Sequence, residues 1–475
     1  MKLFRKYMYI GLPVVGVLFY LWYLYIASID MVYSDYVRLI NAYLPDVWNP
    51  DKFFVADLLT RIPANYLERI INVELFGYSV AFDRVLGVVG FGFSAIAVGV
   101  FGRKHRIGPG WYTVVMVFMF SLNKWEMLYN GTGWAHFMAF ACFFYHYLVL
   151  DRVYRGRELE HDFVRLAVLP ALITLGIAGP YCAVYSMTLI LAYGFMFIVK
   201  KLDLKQTMVL LISVVWPLLA YIWSNSQAVY EHAGAVEGSL IGTFFQEPEF
   251  FLKFLLKAFA SIVFGVEFIS RRMGEVPDIF WYVLGGLVLA SYFLALWMNF
   301  YYKIYEKTLF PLMFLAGGGM NHLVVMVSRW IFMKDTYGMS SRYALQYQVG
   351  IIGIFLTFAL VYRKNRQTVK EEETRESSRQ PGRGGHERKK CPWVHGLAVL
   401  ITAVILVGNV ATTVEEFNHG QHRKNHNLEV REVLLNFENE DEETLQRNLE
   451  FFKPGTREAL QILKDHQWNI FKDAN

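Results

Sequence analysis

The stretch FFLKFLLKAFASIVFGVEFI, residues 250–269, decides the topology of the chain, because it is long enough to cross a membrane yet carries charges. Lys253, Lys257 and Glu267 would each be costly near the centre of a bilayer. Their spacing among the phenylalanines is typical of an amphipathic segment, which can lie at a membrane surface. We therefore expect this segment to dip into the membrane and return, or to lie along the interface.

The composition around this stretch is that of a membrane protein. The chain has 475 residues, of which 55% are hydrophobic and only 18% are charged, and its mean hydropathy is +0.30. Soluble domains contain about 25% charged residues. The three cysteines show neither a disulfide framework nor metal-ligand spacing. No phosphate-binding glycine loop is placed to bind a nucleotide, which argues against ATP-driven transport within this chain.

Apolar stretches that can span a bilayer predict an all-α, polytopic transmembrane bundle of about eleven helices plus the re-entrant or interfacial segment. They lie at 7–28, 80–101, 108–122, 133–150, 163–180, 182–199, 207–224, 279–300, 308–328, 345–362 and 392–411. Six basic clusters, holding more than half of the 46 Lys and Arg residues, then all fall on one side. Because cytoplasmic loops are enriched in Lys and Arg, we place the N-terminus in the cytoplasm and the C-terminus outside. The alternative is twelve spans with an anomalous basic loop.

Composition also predicts the domain boundaries. Residues 1–362 form the membrane core, with a long first extracytoplasmic loop at 29–79. The charged, nearly apolar-free segment 363–390 is typical of a disordered cytoplasmic linker. It precedes a last transmembrane helix at 391–411 and a small extracytoplasmic domain at 412–475, whose apolar spacing indicates helices.

Polar and charged residues collect in a few outer stretches of this topology. The first loop contains Asp30, Asp35 and LLTRIPANYLERIINVELF, which has the spacing of an amphipathic helix that can lie on the membrane surface. The others include NKWEMLYNGTGW at 123–134 and SRWIFMKDTYGMSSRY at 328–343. Desolvation raises the pKa of a carboxylate toward that of a useful base. An arginine fork matches phosphate oxygens. A sugar donor outside the cell must arrive on a membrane lipid, so these groups together would suit a lipid phosphate and an acceptor hydroxyl.

These motifs resemble those of bacterial GT-C-type membrane glycosyltransferases. The likeness rests on YSDY after the first span, on the W-E pair of NKWEMLYNG, and on Arg329 followed by Ser341-Arg342-Tyr343. It implies a multi-span enzyme of the bacterial cytoplasmic membrane that uses a polyprenyl-phosphate-linked sugar donor and an envelope glycan or lipid acceptor. It also implies that Asp35 is the catalytic base. Ser34 stands where many relatives have a second acid, which leaves a requirement for a divalent cation open.

The remaining candidate residues follow from the chemistry of that reaction. Glu126 and Trp125 are expected to bind the sugar, Arg329, Arg342 and Tyr343 the donor phosphate, and Arg69 the acceptor. Each has a structural alternative. Asp35 can cap the helix that begins at Tyr36, Trp125 fits an interfacial aromatic belt, and an arginine near a span end can anchor lipid headgroups. No metal ligands are predicted, and the expected partners are membrane lipids rather than nucleic acid.

Two other functions compete with the glycosyltransferase. A transporter or flippase of lipid-linked oligosaccharides would be expected to have repeated halves and charges within its spans, and few of either are visible in this sequence. A polysaccharide polymerase or ligase would share arginine-rich outer loops but would be expected to have its large outer loop late in the chain. Here the large loop comes first.

Overall fold

A computed structural model describes residues 2–53, 61–226, 235–236, 238–377 and 392–472, and within these ranges all regular structure is helical. The α-helices are α1 (Lys2–Ala27), α2 (Asp35–Tyr43), α3 (Ala64–Phe76), α4 (Val80–Lys104), α5 (Pro109–Met119), α6 (Trp125–Tyr129), α7 (Trp134–Tyr154), α8 (Asp162–Gly176), α9 (Cys182–Ile198), α10 (Leu204–Asn225), α11 (Leu240–Gln246), α12 (Pro248–Ala260), α13 (Val266–Met273), α14 (Asp278–Tyr301), α15 (Phe310–Arg329), α16 (Ala344–Ser377), α17 (Pro392–Leu435), α18 (Glu442–Leu449) and α19 (Thr456–Asp465).

Nine of the described helices are long and apolar enough to cross a membrane, namely α1, α4, α7, α9, α10, α14, α15, α16 and α17. The two other predicted spans, 108–122 and 163–180, contain α5 and α8, which have only 11 and 15 residues. At 1.5 Å per residue, each is shorter than the roughly 30 Å hydrocarbon core. The expectation of an all-α membrane protein is confirmed, whereas the count of eleven spans stays a prediction.

The deciding segment 250–269 forms α12, the turn after it and the first half of α13, and it is not among the nine candidate spans. Lys257 Nζ on α12 lies 2.9 Å from the carboxylate of Asp278, the first residue of α14, and 2.8 Å from that of Asp335, in the loop after α15. These partners explain how a lysine that is only 3% exposed keeps its charge satisfied. The contacts agree with the expectation that the segment does not cross.

Part of the polar stretch 123–134 has a structural reason. Lys124 is 1% exposed, and its ammonium group donates to the Tyr20 hydroxyl at 2.9 Å. It also donates to the carbonyl oxygens of Met119 at 2.7 Å and Ser121 at 2.9 Å. Lysine side chains commonly satisfy the last carbonyl groups of a helix in this way, and here the helix is α5. Lys124 therefore fixes the turn that presents α6.

Two predicted boundaries fall inside helices. Helix α16 continues to Ser377, so the first half of the predicted disordered linker at 363–390 is helical, and the rest lies outside the described residues. Helix α17 runs unbroken through residue 412, where we expected the outer domain to begin. A continuous helix is stiffer than a flexible junction, so it restricts how the C-terminal segment can move relative to the apolar part of α17. The C-terminal helices are thus held in a fixed relation to the last span.

The C-terminal helices and the first loop share an apolar core. Buried side chains from both segments form one cluster, which includes Val32, Tyr36, Val37, Ile40, Leu434, Leu445, Leu460, Leu463 and Phe471. Burial of apolar area is the main force that joins such elements. The C-terminal segment is therefore part of the same structural unit as the first loop.

Helix α3 in that loop turns its polar face inward. Glu68, Arg69 and Asn72 are buried, whereas Leu67 and Leu75 are 56% and 71% exposed. A soluble domain would bury the apolar face, whereas an interfacial helix presents it to lipid. This arrangement matches the expectation of an amphipathic helix on the membrane surface.

Candidate active site

A cavity of about 1120 Å³ lies at the end of the bundle where α15 ends and where α4, α7 and α16 begin, hereafter the site end. Small-molecule pockets usually measure about 300–1,000 Å³, so this cavity has room for a large ligand. Its polar and charged lining includes Asp35, Arg38, Asn65, Glu68, Arg69, Asp83, Glu126, Asn130, Thr132, His136, Glu267, Asn321, Ser328, Arg329, Thr336, Ser340, Arg342, Gln346 and Lys453. Six of the seven predicted site residues line it, namely Asp35, Arg69, Glu126, Arg329, Arg342 and Tyr343.

Arg342 lies between two of the predicted acids. Its Nε donates to Oε1 of Glu126, and its Nη1 lies 3.9 Å from Oδ2 of Asp35. Ser341 Oγ donates to Glu126 Oε2 at 3.0 Å, and Ser340 Oγ does so at 3.4 Å. The Arg342 and Asp35 side chains are 41% and 36% exposed, so both remain within reach of a ligand. The structure thus brings together residues that are more than 200 positions apart in the sequence.

Asp35 does not cap a helix that starts at Tyr36. Helix α2 begins at Asp35 itself, and the Asp35 carboxylate accepts a hydrogen bond from Asn130 Nδ2 at 3.4 Å. Its position in the first turn still suits a negative charge, because the helix dipole is positive there. The carboxylate points toward the loop between α6 and α7, which favours a role in the cavity over one in helix capping.

Asn469, close to the end of the described chain, holds the backbone on both sides of the site. Its side-chain oxygen accepts from the Val32 peptide N–H at 3.0 Å, and its side-chain nitrogen donates to the carbonyl of Tyr78 at 3.0 Å. Its own peptide N–H donates to the carbonyl of Gly77 at 2.9 Å. These hydrogen bonds connect the C-terminal segment to the backbone just before Asp35 and to the turn before α4.

A second pair of acids in the cavity was not predicted as a site. Asp83, in the first turn of α4, is 4% exposed, and Glu68 on α3 is 8% exposed and hydrogen-bonded to it. Asp83 also accepts from the Tyr36 hydroxyl at 2.6 Å and from Asn72 Nδ2 at 2.7 Å. Burial raises the pKa of Glu68, which favours the protonated form of this carboxyl group beside Asp83. The sequence did contain a signal, because an acid inside an apolar span is rarely without a partner or a function.

The raised pKa of Glu68 predicts a pH-dependent stability. The folded state keeps a proton that the unfolded chain releases above about pH 4.3. The stabilisation linked to that proton is complete below the pKa of Glu68 in the unfolded chain. It is lost as the pH rises through the pKa that Glu68 has in the folded protein. Glutamine has nearly the same shape as protonated glutamate but does not have to bind a proton. At about pH 8 we therefore expect E68Q to have a higher apparent Tm than wild type, and the difference in Tm should shrink toward pH 4. Thermal unfolding in detergent at several pH values measures this.

Glu74 supplies the control for that experiment. It lies on the same helix, is exposed, and accepts a hydrogen bond from Trp48 Nε1 at 2.7 Å. E74Q is expected to follow the wild-type pH profile. A gap for E68Q that is constant across pH, or absent, would show that Glu68 is ionised in the folded protein.

Arg329 differs from Arg342 in that no acidic residue in the described part of the chain pairs with it. Its guanidinium lies 5.9 Å from the centroid of the Tyr337 ring, and its side chain hydrogen-bonds that of Tyr343. Its Nε is buried without a hydrogen-bond acceptor, and no described carboxylate lies within ion-pair distance. An arginine in such surroundings is well suited to bind an anionic ligand group.

Trp125 is the one predicted site residue that lies outside the lining of the cavity, and its sugar-binding role stays a prediction. The Arg423 guanidinium lies 3.4 Å from its ring centroid. One face of the indole is therefore covered by an arginine from α17. Arg69, by contrast, does line the cavity, with its guanidinium 3.7 Å from the centroid of the Tyr43 ring.

Within the ranges that the structure describes, no group of three or more His, Cys, Asp or Glu side chains is arranged to hold a metal ion. Comparison with known proteins adds no relative, since no family model, no curated protein and no solved structure matches the chain. Any assignment of function therefore depends on the residues of the cavity and on the three short motifs that resemble GT-C enzymes.

Proposed function

We propose that the chain is a membrane glycosyltransferase. It moves a sugar from a polyprenyl-phosphate donor to a hydroxyl of a cell-envelope glycan or lipid, on the outer face of a bacterial cytoplasmic membrane. The observation that carries the proposal is the meeting of Asp35, Arg329 and Arg342 in one large cavity at a single end of the bundle. An acid that can accept a proton and arginines that can hold a phosphate are the groups that this reaction needs.

The distribution of basic residues supports an outward-facing site. Arg363 and Lys364 lie on α16 at the end of the bundle opposite the site end. They donate to the carbonyl oxygens of His105, after α4, and of Tyr302, after α14. Basic residues collect at this end, among them Arg103, Lys104, Arg106, Arg152, Arg155, Arg157, Lys200, Lys201, Lys303 and Lys307. Short basic loops are typical of the cytoplasmic side, which supports a cavity on the opposite side of the membrane.

The exposed apolar face of α3 supports a lipid-borne substrate. Phe76 stacks on Phe82 of α4 at a centroid separation of 4.3 Å, so the apolar surface of α3 continues onto that of a candidate span. A helix that rests in the interface on this face would hold Glu68 and Arg69 at the level of the lipid headgroups. A phosphate at the head of a polyprenyl chain would lie at the same level.

Each site residue has a role in the proposed reaction. The acceptor oxygen forms a bond to the anomeric carbon, and the bond from that carbon to the phosphate oxygen breaks. Asp35 accepts the proton that the acceptor hydroxyl loses. Arg329 and Arg342 neutralise the charge that develops on the departing lipid phosphate. Arg69, which also lines the cavity, contacts the acceptor.

Binding of undecaprenyl phosphate to the full-length protein in a non-ionic detergent tests the proposal. No carboxylate among the residues that the structure describes pairs with Arg329, so R329A removes a phosphate contact without unpairing any of those acids. Loss of a charge-assisted hydrogen bond costs about 1.5–3 kcal/mol, and we expect an affinity roughly tenfold lower or more.

Arg106 is the matched control, because it lies in the basic loop after α4, at the opposite end, and contributes the same charge. R106A is expected to bind like wild type. If the wild-type protein fails to bind the lipid, or if R106A weakens binding as much as R329A, the donor site is removed from the proposal. A transporter or flippase of lipid-linked oligosaccharides would then be the better assignment.

A further inference from the structure

Glu126 occupies a set of donors that would also suit a phosphate. One oxygen of its carboxylate accepts from the Arg342 guanidinium, and the other accepts from the hydroxyls of Ser341 and Ser340. All three donor residues lie side by side in the sequence and none comes from the helix that carries Glu126. The carboxylate is only 18% exposed. Ser340, Ser341 and Arg342 therefore form a compact group of anion-binding donors, which we call the SSR site.

The position of the SSR site strengthens this reading. It immediately precedes α16, a 34-residue helix whose first peptide N–H groups face its N-terminal end. The partial positive charge of a helix N-terminus favours an anion, and the planar guanidinium matches phosphate oxygens. In this structure the anion that fills the site belongs to the protein itself.

The surroundings exclude simultaneous binding of Glu126 and a phosphate. Asp35 Oδ2 lies 3.9 Å from Arg342, and Glu267 hydrogen-bonds the side chain of Ser341. Burial, and to a smaller extent the nearby charge of Glu126, raise the pKa of Glu267. Three carboxyl groups, those of Asp35, Glu126 and Glu267, thus lie around the SSR site. A phosphate can take the SSR site only when Glu126 leaves it.

We propose that the SSR site is the phosphate-binding site for the lipid donor, and that Glu126 holds it when no donor is bound. The donor phosphate displaces the Glu126 carboxylate from Arg342, which frees that carboxylate to hydrogen-bond hydroxyls of the sugar that follows the phosphate. The ligand class rests on the proposed function, whereas the exchange of anions at Arg342 does not. This role for Glu126 differs from simple substrate binding, because Glu126 competes with one part of the donor.

Two substitutions with opposite expected effects on the affinity for undecaprenyl phosphate test the exchange. E126Q keeps the size of the side chain but removes the competing charge, so it is expected to bind undecaprenyl phosphate roughly tenfold more tightly than wild type. Adding S341A to E126Q removes a neutral donor from the phosphate and is expected to weaken binding roughly fivefold relative to E126Q alone. Binding is measured with the purified full-length protein.

E267Q is the matched control, because Glu267 lies beside the same serine but does not pair with Arg342. It is expected to gain much less affinity for undecaprenyl phosphate than E126Q does, whereas equal gains for E126Q and E267Q would reduce the effect to general electrostatics and overturn the exchange. Unchanged or weaker binding by E126Q would also overturn it.

Undecaprenol and inorganic phosphate distinguish the possible failures. Undecaprenol lacks the phosphate and is expected to bind wild type and E126Q equally. If no variant binds the lipid phosphate but E126Q binds inorganic phosphate more tightly than wild type, the SSR site stands and the lipid donor of the proposed function fails. If wild type binds the lipid phosphate and E126Q binds it no better, the proposed function stands and the exchange fails.

Discussion

Replacing Asp35 with asparagine is expected to stop sugar transfer while leaving the protein folded. Asparagine has the same shape and can still contact Asn130, but it cannot accept a proton from the acceptor hydroxyl. General bases contribute about 10²- to 10⁴-fold to the rates of enzymes, so a loss of at least two orders of magnitude is expected. The measurement is the release of polyprenyl phosphate from a panel of polyprenyl-phosphate sugars, with wild type and D35N at equal folded concentration.

Asp30 provides a control from the same loop. Its carboxylate accepts from Ser79 Oγ at 2.7 Å and from the Ala81 peptide N–H at 3.0 Å, so it supports the start of α4 and does not line the cavity. D30N is expected to retain transfer. Full activity in D35N would remove Asp35 from its proposed role and would make Asp83, the other first-turn aspartate in the cavity, the next residue to test.

The long apolar runs predicted the membrane helices well, because a stretch of about 20 apolar residues has few other stable environments. The short helices α5 and α8 show where this rule weakens. Each ends in tight turns, and α8 contains Pro170, so length alone cannot tell a short crossing from a buried helix. The helical character of 363–377 was also missed, because charged residues without an apolar face give no periodic signal.

The cavity was predictable in outline, since one topology placed all the polar loops on the same side. Which side chains pair with one another inside the cavity could not be predicted. Arg342 could have been assigned to a phosphate, to Asp35 or to a headgroup, and only the fold shows that Glu126 already accepts its hydrogen bond. The sequence likewise does not reveal that Arg423, almost 300 residues later, covers one face of the Trp125 ring. Long-range contacts of this kind leave no local pattern.

The charge network beneath α6 gives the largest expected effect on stability. Glu416 is fully buried on α17 and forms ion pairs with Arg271 of α13 and Arg423 of α17. Arg423 also donates to the Tyr23 hydroxyl at 2.8 Å and covers the ring of Trp125 at the start of α6. One carboxylate therefore neutralises two guanidinium groups that join four helices.

E416A is expected to destabilise the protein by about 3–5 kcal/mol, because it leaves the partly buried Arg423 without its counter-ion and leaves Arg271 with only the more distant Glu415, at 3.9 Å. The measurement is thermal unfolding of the purified protein in detergent, where the apparent Tm should fall by several degrees. Glu415, the preceding residue, pairs mainly with Arg272, whose side chain is 60% exposed, and lies 3.9 Å from Arg271, which keeps Glu416 in E415A. A pair with an exposed partner contributes about 1 kcal/mol or less, so E415A should change the apparent Tm little.

E416A also tests whether the ion pairs of Glu416 support the candidate active site. If Arg423 loses Glu416, its stacking on Trp125 is no longer fixed, and α6, which carries Glu126, loses part of its support. E416A should therefore also weaken the hold of Glu126 on Arg342 and shift undecaprenyl phosphate binding in the direction of E126Q. Equal apparent Tm values for E416A and E415A would mean that the two arginines find other partners or water, and that α6 is positioned by Lys124 and its carbonyl contacts alone.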